Sequence, residues 1–313
     1  MNEFFDDIWR GLSASPKYLE SKYFYDETGD AIFQEIMALP EYYLTRSEME
    51  IFAHQSSSLA DIITSQLNDF DLIELGPGDC TKSIYLLKEL VGRKMNFTYY
   101  PIDISKNIIE HLDKTLPETI PGIKVEGLNG DYFDMLDELK DISARKKVVL
   151  FLGSSIGNIP ISETVNFFKA LKSHLSPGDL ILTGFDLKKD PNVVLAAYND
   201  KAGVTKRFNL NLLCRINTTL DADFDISQFA HSPVYSETTG ACKSYLTSLK
   251  KQRVRIGEVG WIHFEEGEQI YMEVSQKYTS EQVDEAALAS GFTTVHHFYD
   301  RKEWFLDVLW KCL

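Results

Sequence analysis

Glycines and charged side chains surround one turn in the first half of the chain, in an arrangement suited to binding a nucleotide-like ligand. Leu72, Ile73 and Leu75 predict a buried strand that ends before a turn with two glycines, Gly76 and Gly78. A helix is predicted to begin near residues 79–81. Such a turn brings backbone N–H groups and the positive end of a helix dipole to one point. Lys82 falls in the first turn of the predicted helix. In an open α/β sheet, ligands bind at turns of this kind.

Two carboxylates beside this turn help to decide which nucleotide-like ligand it binds. The dinucleotide-binding fingerprint has a third glycine three positions on, and here Thr81 stands there. Glu74 precedes the turn and Asp79 follows it, and like charges disfavour a pyrophosphate beside them. S-adenosylmethionine (SAM) carries no phosphate, and its ammonium and sulfonium groups are positive. The turn therefore favours SAM over a dinucleotide.

Acidic residues also follow the next two predicted strands. Asp103 ends the strand predicted over residues 95–102, where a carboxylate can accept hydrogen bonds from both ribose hydroxyls. Asp131 and Tyr132 follow the strand predicted over residues 123–128, where they can bond the adenine amino group and stack on its ring. Each acid alone is equally consistent with a solvated loop carboxylate. Three acids at the ends of three successive strands favour a SAM site.

The elements that position these acids alternate between strand and helix over residues 48–188. The strands are apolar runs rather than alternating patterns, which is typical of parallel strands covered on both faces. Residues 279–290 predict a helix with a Thr279 and Gln282 capping box and Gly291 as its C-cap, and two strands close in sequence follow it. This order predicts an α/β fold, the doubly wound, Rossmann-like sheet of class I methyltransferases.

Two stretches lie outside that repeating pattern and predict a second, smaller α+β domain. Residues 1–47 are irregular and rich in tyrosine, and residues 189–277 contain several predicted antiparallel strands. Most of the tyrosines are expected to pack with their hydroxyls at the rim, whereas some can line a pocket for an amine, because aromatic faces attract cations. We predict a SAM-binding domain of residues 48–188 plus 278–313 and a substrate domain of residues 1–47 plus 189–277.

Composition limits the partners of the protein. The 313 residues carry a formal net charge of -15, which disfavours nucleic acid and anionic lipid. The four cysteines lack zinc-ligand spacing, so we expect free thiols and no metal. The first residues lack the apolar core of a signal peptide, and no apolar run approaches the about 20 residues that span a bilayer. We expect a cytoplasmic monomer that acts on a small molecule.

Several long motifs resemble those of the SAM-dependent histidine Nα-methyltransferases of ergothioneine biosynthesis. They are LPEYYLTRSE (39–48), IELGPGDCTK (73–82), FLGSSIGN (151–158), AYNDKAGVTKRFN (197–209), DADFD (221–225) and MEVSQKY (272–278). The resemblance covers nearly the whole chain. It implies methylation of the α-amino group of L-histidine to its trimethyl betaine, hercynine, with S-adenosylhomocysteine as the second product and no metal.

The resemblance also implies roles for particular residues of this chain. The residues that it implies for SAM binding are Gly76, Lys82, Asp103, Asp131 and Tyr132. The residues that it implies for holding histidine are Tyr42, Asn158, Tyr198, Glu273 and Ser275. Tyr25 matches a tyrosine close to the reacting amine. Because Glu273 and Ser275 are two apart on a predicted strand, they point to the same face and can pair with both imidazole nitrogens.

One departure from the family pattern leaves the substrate open. Ser244 aligns where the family has a methionine against the imidazole, which implies a more open or more polar pocket on that side. One alternative is therefore an N-methyltransferase for another amino acid or amine. Another alternative, from a different class, is a non-catalytic protein that binds SAM or an amino acid.

Overall fold

The computed structural model describes residues 3–313 and divides the chain into two compact units. The first unit comprises the described residues up to Tyr43 together with Lys189–Ser275, and the second unit comprises Leu44–Lys188 and Gln276–Leu313. The predicted domains combine the same segments, with bounds at residues 47 and 277 in place of 43 and 275. The ligand assigned to each unit stays a prediction.

The helices and strands of the described residues are as follows. The α-helices are α1 (Glu3–Ser13), α2 (Glu27–Ala38), α3 (Tyr43–Gln66), α4 (Ile84–Gly92), α5 (Lys106–Thr119), α6 (Tyr132–Ile142), α7 (Ile161–Lys172), α8 (Pro191–Tyr198), α9 (Val204–Leu220) and α10 (Ser280–Ser290). The strands are β1 (Lys17–Tyr18), β2 (Asp69–Leu75), β3 (Asn96–Asp103), β4 (Leu128–Asn129), β5 (Lys146–Phe151), β6 (Leu180–Asp186), β7 (Phe229–His231), β8 (Val234–Ser236), β9 (Ala241–Ser248), β10 (Gln252–Ile256), β11 (Gly260–Phe264), β12 (Gln269–Gln276), β13 (Phe292–Tyr299) and β14 (Phe305–Cys312). Short 3₁₀ helices span Ser21–Phe24, Ser155–Asn158 and Ile226–Gln228.

The second unit is built on a seven-stranded sheet with the strand order β13-β14-β6-β5-β2-β3-β4. The strands from β6 to β4 are parallel, and β14 runs antiparallel to both β6 and β13. Every residue of β6 is buried, as expected for a strand covered on both faces. The prediction of a doubly wound, Rossmann-like α/β sheet is confirmed.

Helices cover both faces of this sheet because successive side chains of a strand point to opposite faces. On one face, Val149 and Ile181 belong to a core cluster with Leu139 of α6, Phe168 of α7 and Val283 of α10. On the other face, Asp307 of β14 lies beside side chains of α3. The carboxyl ends of β2, β3 and β5 therefore meet at one edge of a rigid, two-sided layer.

Local signals predicted some elements correctly and others incorrectly. The capping box is confirmed, because the Gln282 N–H donates to the Thr279 hydroxyl at 3.3 Å and the Thr279 N–H donates to the Gln282 side chain at 3.0 Å. The predicted start of the helix after the glycine turn is wrong: α4 begins at Ile84, after a left-handed Cys80 with φ of 56°. The strand predicted over residues 123–128 is formed only in part, because Val125 makes an isolated parallel bridge to Tyr99 and β4 itself has only two residues at the sheet edge.

The first unit has its own sheet and core. Its larger sheet has the strand order β1-β12-β9-β7, with β8 also paired to β9, and β10 pairs with β11 in a separate hairpin. Ile8 and Leu12 of α1, Phe208 and Leu212 of α9 and Met272 of β12 share one hydrophobic core. Within residues 3–313, no helix combines the length and the apolar character required to cross a membrane.

Candidate active site

The glycine turn after β2 has a closed side and an open side. The Gly76 N–H donates to the Ile102 carbonyl at 2.9 Å, which ties the end of β2 to the end of β3. Gly76 has φ of 68°, and a Cβ added there would lie 2.6 Å from the Tyr132 hydroxyl. Gly78 has φ of 56°, and its added Cβ would meet no heavy atom within 4 Å. The turn is thus a cradle that Tyr132 limits on one side.

Asp103, Asp131 and Tyr132 lie around this turn. The Asp103 carboxylate accepts the Ser105 N–H at 2.8 Å, and the Asp131 carboxylate accepts the Phe133 N–H at 2.9 Å as the N-cap of α6. Burial, followed by the charges of Asp103 and Asp131, raises the pKa of Tyr132 to about 12. The structure therefore brings both acids and the tyrosine close to Gly76.

Lys82, the fifth residue predicted for SAM binding, takes part in a buried ion pair. Its ammonium contacts the carboxylate of Glu48, whose side chain is 1% exposed. The Glu48 carboxylate also accepts the Gly153 N–H, at 2.8 Å to Oε1 and 3.0 Å to Oε2. Burial by itself would lower the pKa of Lys82, but the charge and hydrogen bond of Glu48 raise it above its ordinary value. Glu48 thereby ties the turn after β2 to the turn after β5.

Glu74 is buried at the end of β2, next to the glycine turn. Its carboxylate is buried and accepts the Tyr99 hydroxyl at 2.6 Å, and that hydroxyl is 3.0 Å from the Cys80 sulfur. Burial raises the pKa of Glu74 to about 7, against the opposing hydrogen bond from Tyr99. Glu74 therefore supports the turn through Tyr99 and Cys80.

In the first unit, four of the residues predicted for histidine binding lie close together. The Tyr198 and Ser275 hydroxyls are 2.6 Å apart and both side chains are buried. The Tyr42 ring meets the Tyr198 ring edge to face, with their centroids 6.3 Å apart. Glu273 accepts a hydrogen bond at 3.2 Å from the hydroxyl of Ser244 on β9. Ser244, the residue that departs from the family pattern, therefore contacts a residue predicted to read the imidazole.

Tyr25 belongs to a series of aromatic rings in the same unit. It is 43% exposed and its ring meets Phe33 edge to face, with the centroids 5.8 Å apart. Phe33 in turn meets Tyr42 at 6.3 Å, and Tyr42 meets Tyr198. Edge-to-face contacts thus connect Tyr25 to the hydroxyl pair of Tyr198 and Ser275. Ring faces of this kind attract cations.

Asn158, the remaining residue predicted for histidine binding, belongs to the second unit. It is exposed at the end of the 3₁₀ helix Ser155–Asn158. The preceding Ser154 adopts a left-handed φ of 56°, and its hydroxyl accepts the Asp186 N–H at 3.1 Å. Asp186 forms an ion pair of 2.6 Å with Lys277, and both side chains are fully buried. A buried charge pair therefore supports the turn that carries Asn158.

Sequence reasoning missed the side chains that support the cofactor turn. Glu48 stands inside one of the motifs that carry the resemblance, and Asp307 is a lone charge in the apolar strand FLDVLW. The position of Asp307 within this apolar strand could have indicated a buried partner, since charged residues are almost never fully buried unless they are paired. Within the described part of the chain, no group of three or more His, Cys, Asp and Glu side chains is arranged to hold a metal ion.

The sheet and its cofactor turn define a class of protein. A doubly wound sheet that ends in an antiparallel strand pair, with acidic residues around a glycine turn at the carboxyl ends of its central strands, is that of a SAM-dependent methyltransferase. The chain belongs to the family of histidine-specific, SAM-dependent methyltransferases, because the sequence profile of that family matches residues 4–312.

Individual relatives place the chain within that family. It is 34% identical to the histidine N-alpha-methyltransferase of Mycolicibacterium smegmatis over 295 residues, covering 94% of this chain and 90% of the relative. It is 27% identical to the L-tryptophan methyltransferase trpM of Psilocybe serbica, covering 94% of this chain and 89% of that protein. Among solved structures, magnesium protoporphyrin IX methyltransferase from Synechocystis PCC 6803 has a TM-score of 0.46 and 11% identity, covering 94% of this chain and 98% of that one.

Proposed function

We propose that this protein transfers methyl groups from SAM to the α-amino nitrogen of L-histidine and carries the reaction to hercynine, its trimethyl betaine. The observation that supports histidine as the substrate most directly is the position of Glu273 and Ser275, two residues apart on β12. The first is held by the Ser244 hydroxyl at 3.2 Å, and the second lies 2.6 Å from the Tyr198 hydroxyl. A carboxylate and a hydroxyl, two residues apart, match the two nitrogens of an imidazole.

Selectivity follows from the cost of leaving such groups without a partner. Ser275 is buried and Glu273 is half-buried, so an apolar side chain in place of the imidazole would remove water from both without replacing its hydrogen bonds. Sites of this kind reject analogues that lack the matching polar group far more strongly than an apolar pocket rejects a missing methylene. The Ser244 hydroxyl orients the Glu273 carboxylate, and the Tyr198 hydroxyl orients the Ser275 hydroxyl.

The cofactor is assigned to the glycine cradle of the second unit. Gly76, Asp103, Asp131 and Tyr132 provide an open backbone turn, two carboxylates and an aromatic ring, a donor and acceptor set that fits an adenosine with a cationic tail. When bound, SAM supplies an electrophilic methyl group and leaves as S-adenosylhomocysteine. We assign Lys82 to the same site because it follows the glycine turn, where its ion pair with Glu48 fixes its position.

The acceptor amine must be neutral and correctly oriented to react. Because a tyrosine hydroxyl stays protonated near neutral pH, Tyr25 orients the amine, and the proton released at each methylation passes to solvent. Asn158 and Tyr198 supply hydrogen-bond donors for the substrate carboxylate. The rings of Tyr25 and Tyr42 face the ammonium as it gains methyl groups, since aromatic faces stabilise cations without requiring N–H donors.

Product mass tests this proposal. The protein is incubated with L-histidine and SAM, and mono-, di- and trimethylated histidine are followed by mass spectrometry. We expect all three species in succession, with the trimethyl betaine as the end product. SAM and histidine binding by calorimetry without any methylated product would instead support a non-catalytic binding protein and would refute the proposed reaction.

Ser244 stands where the family has a methionine, and this departure favours a second candidate, methylation of another amino acid. A panel of L-histidine, L-tryptophan and L-phenylalanine is assayed with the wild type, with Glu273→Ala, and with Glu266→Ala as an exposed control. If Glu273 reads the imidazole, kcat/KM for histidine falls by about tenfold to a hundredfold in Glu273→Ala. The other two substrates are then unaffected, and so is the control variant. Wild-type turnover that prefers tryptophan would overturn the histidine assignment.

We also propose that the protein is a monomer located in the cytoplasm. The formal net charge of -15 disfavours nucleic-acid and membrane partners. Sedimentation of the purified protein would test the monomeric state.

A further inference from the structure

Asp307 is a buried carboxyl group without a hydrogen-bond donor among the described residues. It lies on β14, directly across from Gly184 of β6, and its side chain is 1% exposed. Neither of its oxygens has a hydrogen-bond partner within residues 3–313. Its sequence neighbours Leu306 and Val308 belong to the apolar core of the opposite face. An ionised carboxylate in such a place is costly unless it is paired.

The carboxylate of Glu48 approaches Asp307 above Gly184. A Cβ added to Gly184 would collide with Glu48 Oε1 and would lie 3.0 Å from Asp307 Oδ1. Glu48 is already bound by the Gly153 N–H and by the Lys82 ammonium. Two ionised carboxylates beside a single ammonium repel each other, which favours the protonation of one of them. Glu48 has donors for its charged form and Asp307 has none, so the proton belongs to Asp307.

The other surroundings of Asp307 supply no alternative donor. A cavity beside it is too narrow to hold a water molecule. Its polar lining residues use their donors elsewhere, because the Ser56 hydroxyl donates to the Phe52 carbonyl at 2.5 Å and the Gln55 amide donates to the Tyr299 carbonyl at 2.8 Å. The remaining lining is apolar. A proton on Asp307 itself therefore provides the hydrogen bond that this place requires.

We propose that Asp307 is a positioning residue that keeps a proton and donates it to Glu48, so that Asp307, Glu48 and Lys82 together fix the turns after β2 and β5. The first of these turns carries Lys82, and the second begins at Gly153 and leads to Asn158. The role of these turns in binding SAM rests on the proposed function. Asp307 and Glu48 act through Lys82 and Gly153 and need not touch SAM.

A protonated Asp307 makes stability depend on pH in a defined direction. Burial, followed by the charge of Glu48, holds the pKa of Asp307 well above its usual range, with Lys82 opposing the shift. A carboxyl group with a raised pKa in the folded state stabilises the fold below its unfolded pKa of about 4, and that contribution is lost as pH rises through the folded pKa. Glu74, which faces Lys82, has a pKa of about 7, so its own loss of stability is complete only about one pH unit higher, and the part of the loss that Asp307→Asn removes reports on Asp307.

The test compares Asp307→Asn, which keeps a donor without an acid, with Asp307→Leu, which keeps neither. SAM dissociation constants are measured by calorimetry, and thermal midpoints are measured at several values of pH above neutral. Asp141→Asn, at an exposed position, is the control. We expect Asp307→Asn to bind SAM within about twofold of the wild type and Asp307→Leu to bind at least about tenfold more weakly. We also expect the wild-type midpoint to fall more steeply with pH than the Asp307→Asn midpoint, because Glu74 and the Cys80 thiol, whose pKa values burial also raises, destabilise both proteins as pH rises.

An ionised Asp307 that acts as a second counter-ion to Lys82 gives the opposite pattern. Asp307→Asn would then weaken SAM binding as much as Asp307→Leu, and the wild type and Asp307→Asn would share one pH profile; either result overturns the proposal. If Asp307→Leu fails to fold, Asp307→Asn carries the decision alone. Histidine turnover enters neither readout, so a protein that binds SAM with the expected pH profile but methylates no histidine refutes only the proposed function.

Discussion

Replacing Gly76 with alanine tests the cradle in which SAM is proposed to bind. Gly76 has φ of 68°, and its added Cβ would lie 2.6 Å from the Tyr132 hydroxyl. The substitution therefore combines backbone strain with a steric conflict against a largely buried ring. Gly78→Ala is a matched control two residues away, because Gly78 has φ of 56° and its added Cβ would meet nothing within 4 Å.

The two substitutions share one cost and differ in another. A left-handed conformation costs a residue with a Cβ about 1–2 kcal/mol, which applies at both positions. Only at Gly76 must a neighbour move, and forcing an extra methyl group into a packed place adds about 1–3 kcal/mol. We therefore expect Gly76→Ala to lower the free energy of unfolding by about 2–5 kcal/mol and Gly78→Ala by about 1–2 kcal/mol.

Thermal unfolding followed by circular dichroism measures the difference, since each kcal/mol shifts the midpoint by about 2–4 °C in a domain of this size. Tyr132→Phe supplies the decisive variant, because it removes the hydroxyl and leaves the nearest ring atom 3.7 Å from the added Cβ. In a Tyr132→Phe background, Gly76→Ala should cost no more than Gly78→Ala. The coupling energy of the double-mutant cycle should then be about 1 kcal/mol or more.

Equal losses at the two glycines would refute this reasoning. So would a coupling energy near zero, because it would mean that the Tyr132 hydroxyl does not close the cradle. In either case the left-handed backbone alone would account for the two glycines, and Tyr132 would lose its assigned place as the wall of the adenine site.

Two more substitutions separate structural from ligand-binding roles. Asp131→Asn keeps the cap on the Phe133 N–H, so the free energy of unfolding should change by less than about 0.5 kcal/mol, while SAM should bind about tenfold more weakly if the carboxylate accepts the adenine amino group. An unchanged SAM dissociation constant would limit Asp131 to capping. Lys277→Met removes the ammonium that pairs with the buried Asp186 carboxylate and should cost about 3–5 kcal/mol in urea unfolding. Lys277→Met combined with Asp186→Asn should recover much of that loss, and a single-variant loss below about 1 kcal/mol would contradict the argument.

The parallel sheet was predictable because its signals are local. Apolar runs mark β2, β3, β5 and β6, and the Thr279 capping box needs only residues within one helical turn. The errors came where tertiary contacts outweigh local preference. β4 is two residues long because it pairs only at the sheet edge, and α4 starts late because Cys80 adopts a left-handed turn whose sulfur lies 3.0 Å from the Tyr99 hydroxyl.

Side chains next to the cofactor turn were harder to place than the turn itself. The order of residues puts Glu74 immediately before Gly76, yet the alternation of the strand turns its carboxylate under the turn, where Tyr99 donates to it at 2.6 Å. Sequence proximity to a binding turn therefore says little about which face a side chain occupies. Asp131 lies beyond the end of β4 and is free of this alternation, whereas Asp103 is the last residue of β3.

The contacts of the residues proposed to determine specificity are formed between segments far apart in the sequence. Such contacts could not be predicted from the sequence. Ser244 and Glu273 are 29 residues apart and meet because β9 lies beside β12, a register that no local pattern specifies. Asp307 also depends on a residue far away in the sequence. A lone charge in an apolar strand indicates that a partner exists but does not identify it. Only the fold reveals that the partner is Glu48, because β14 sets Asp307 across from Gly184 and α3 brings Glu48 to the same glycine. A glycine at 184 is then as necessary as the two acids, because any side chain there would occupy the place in which their oxygens meet.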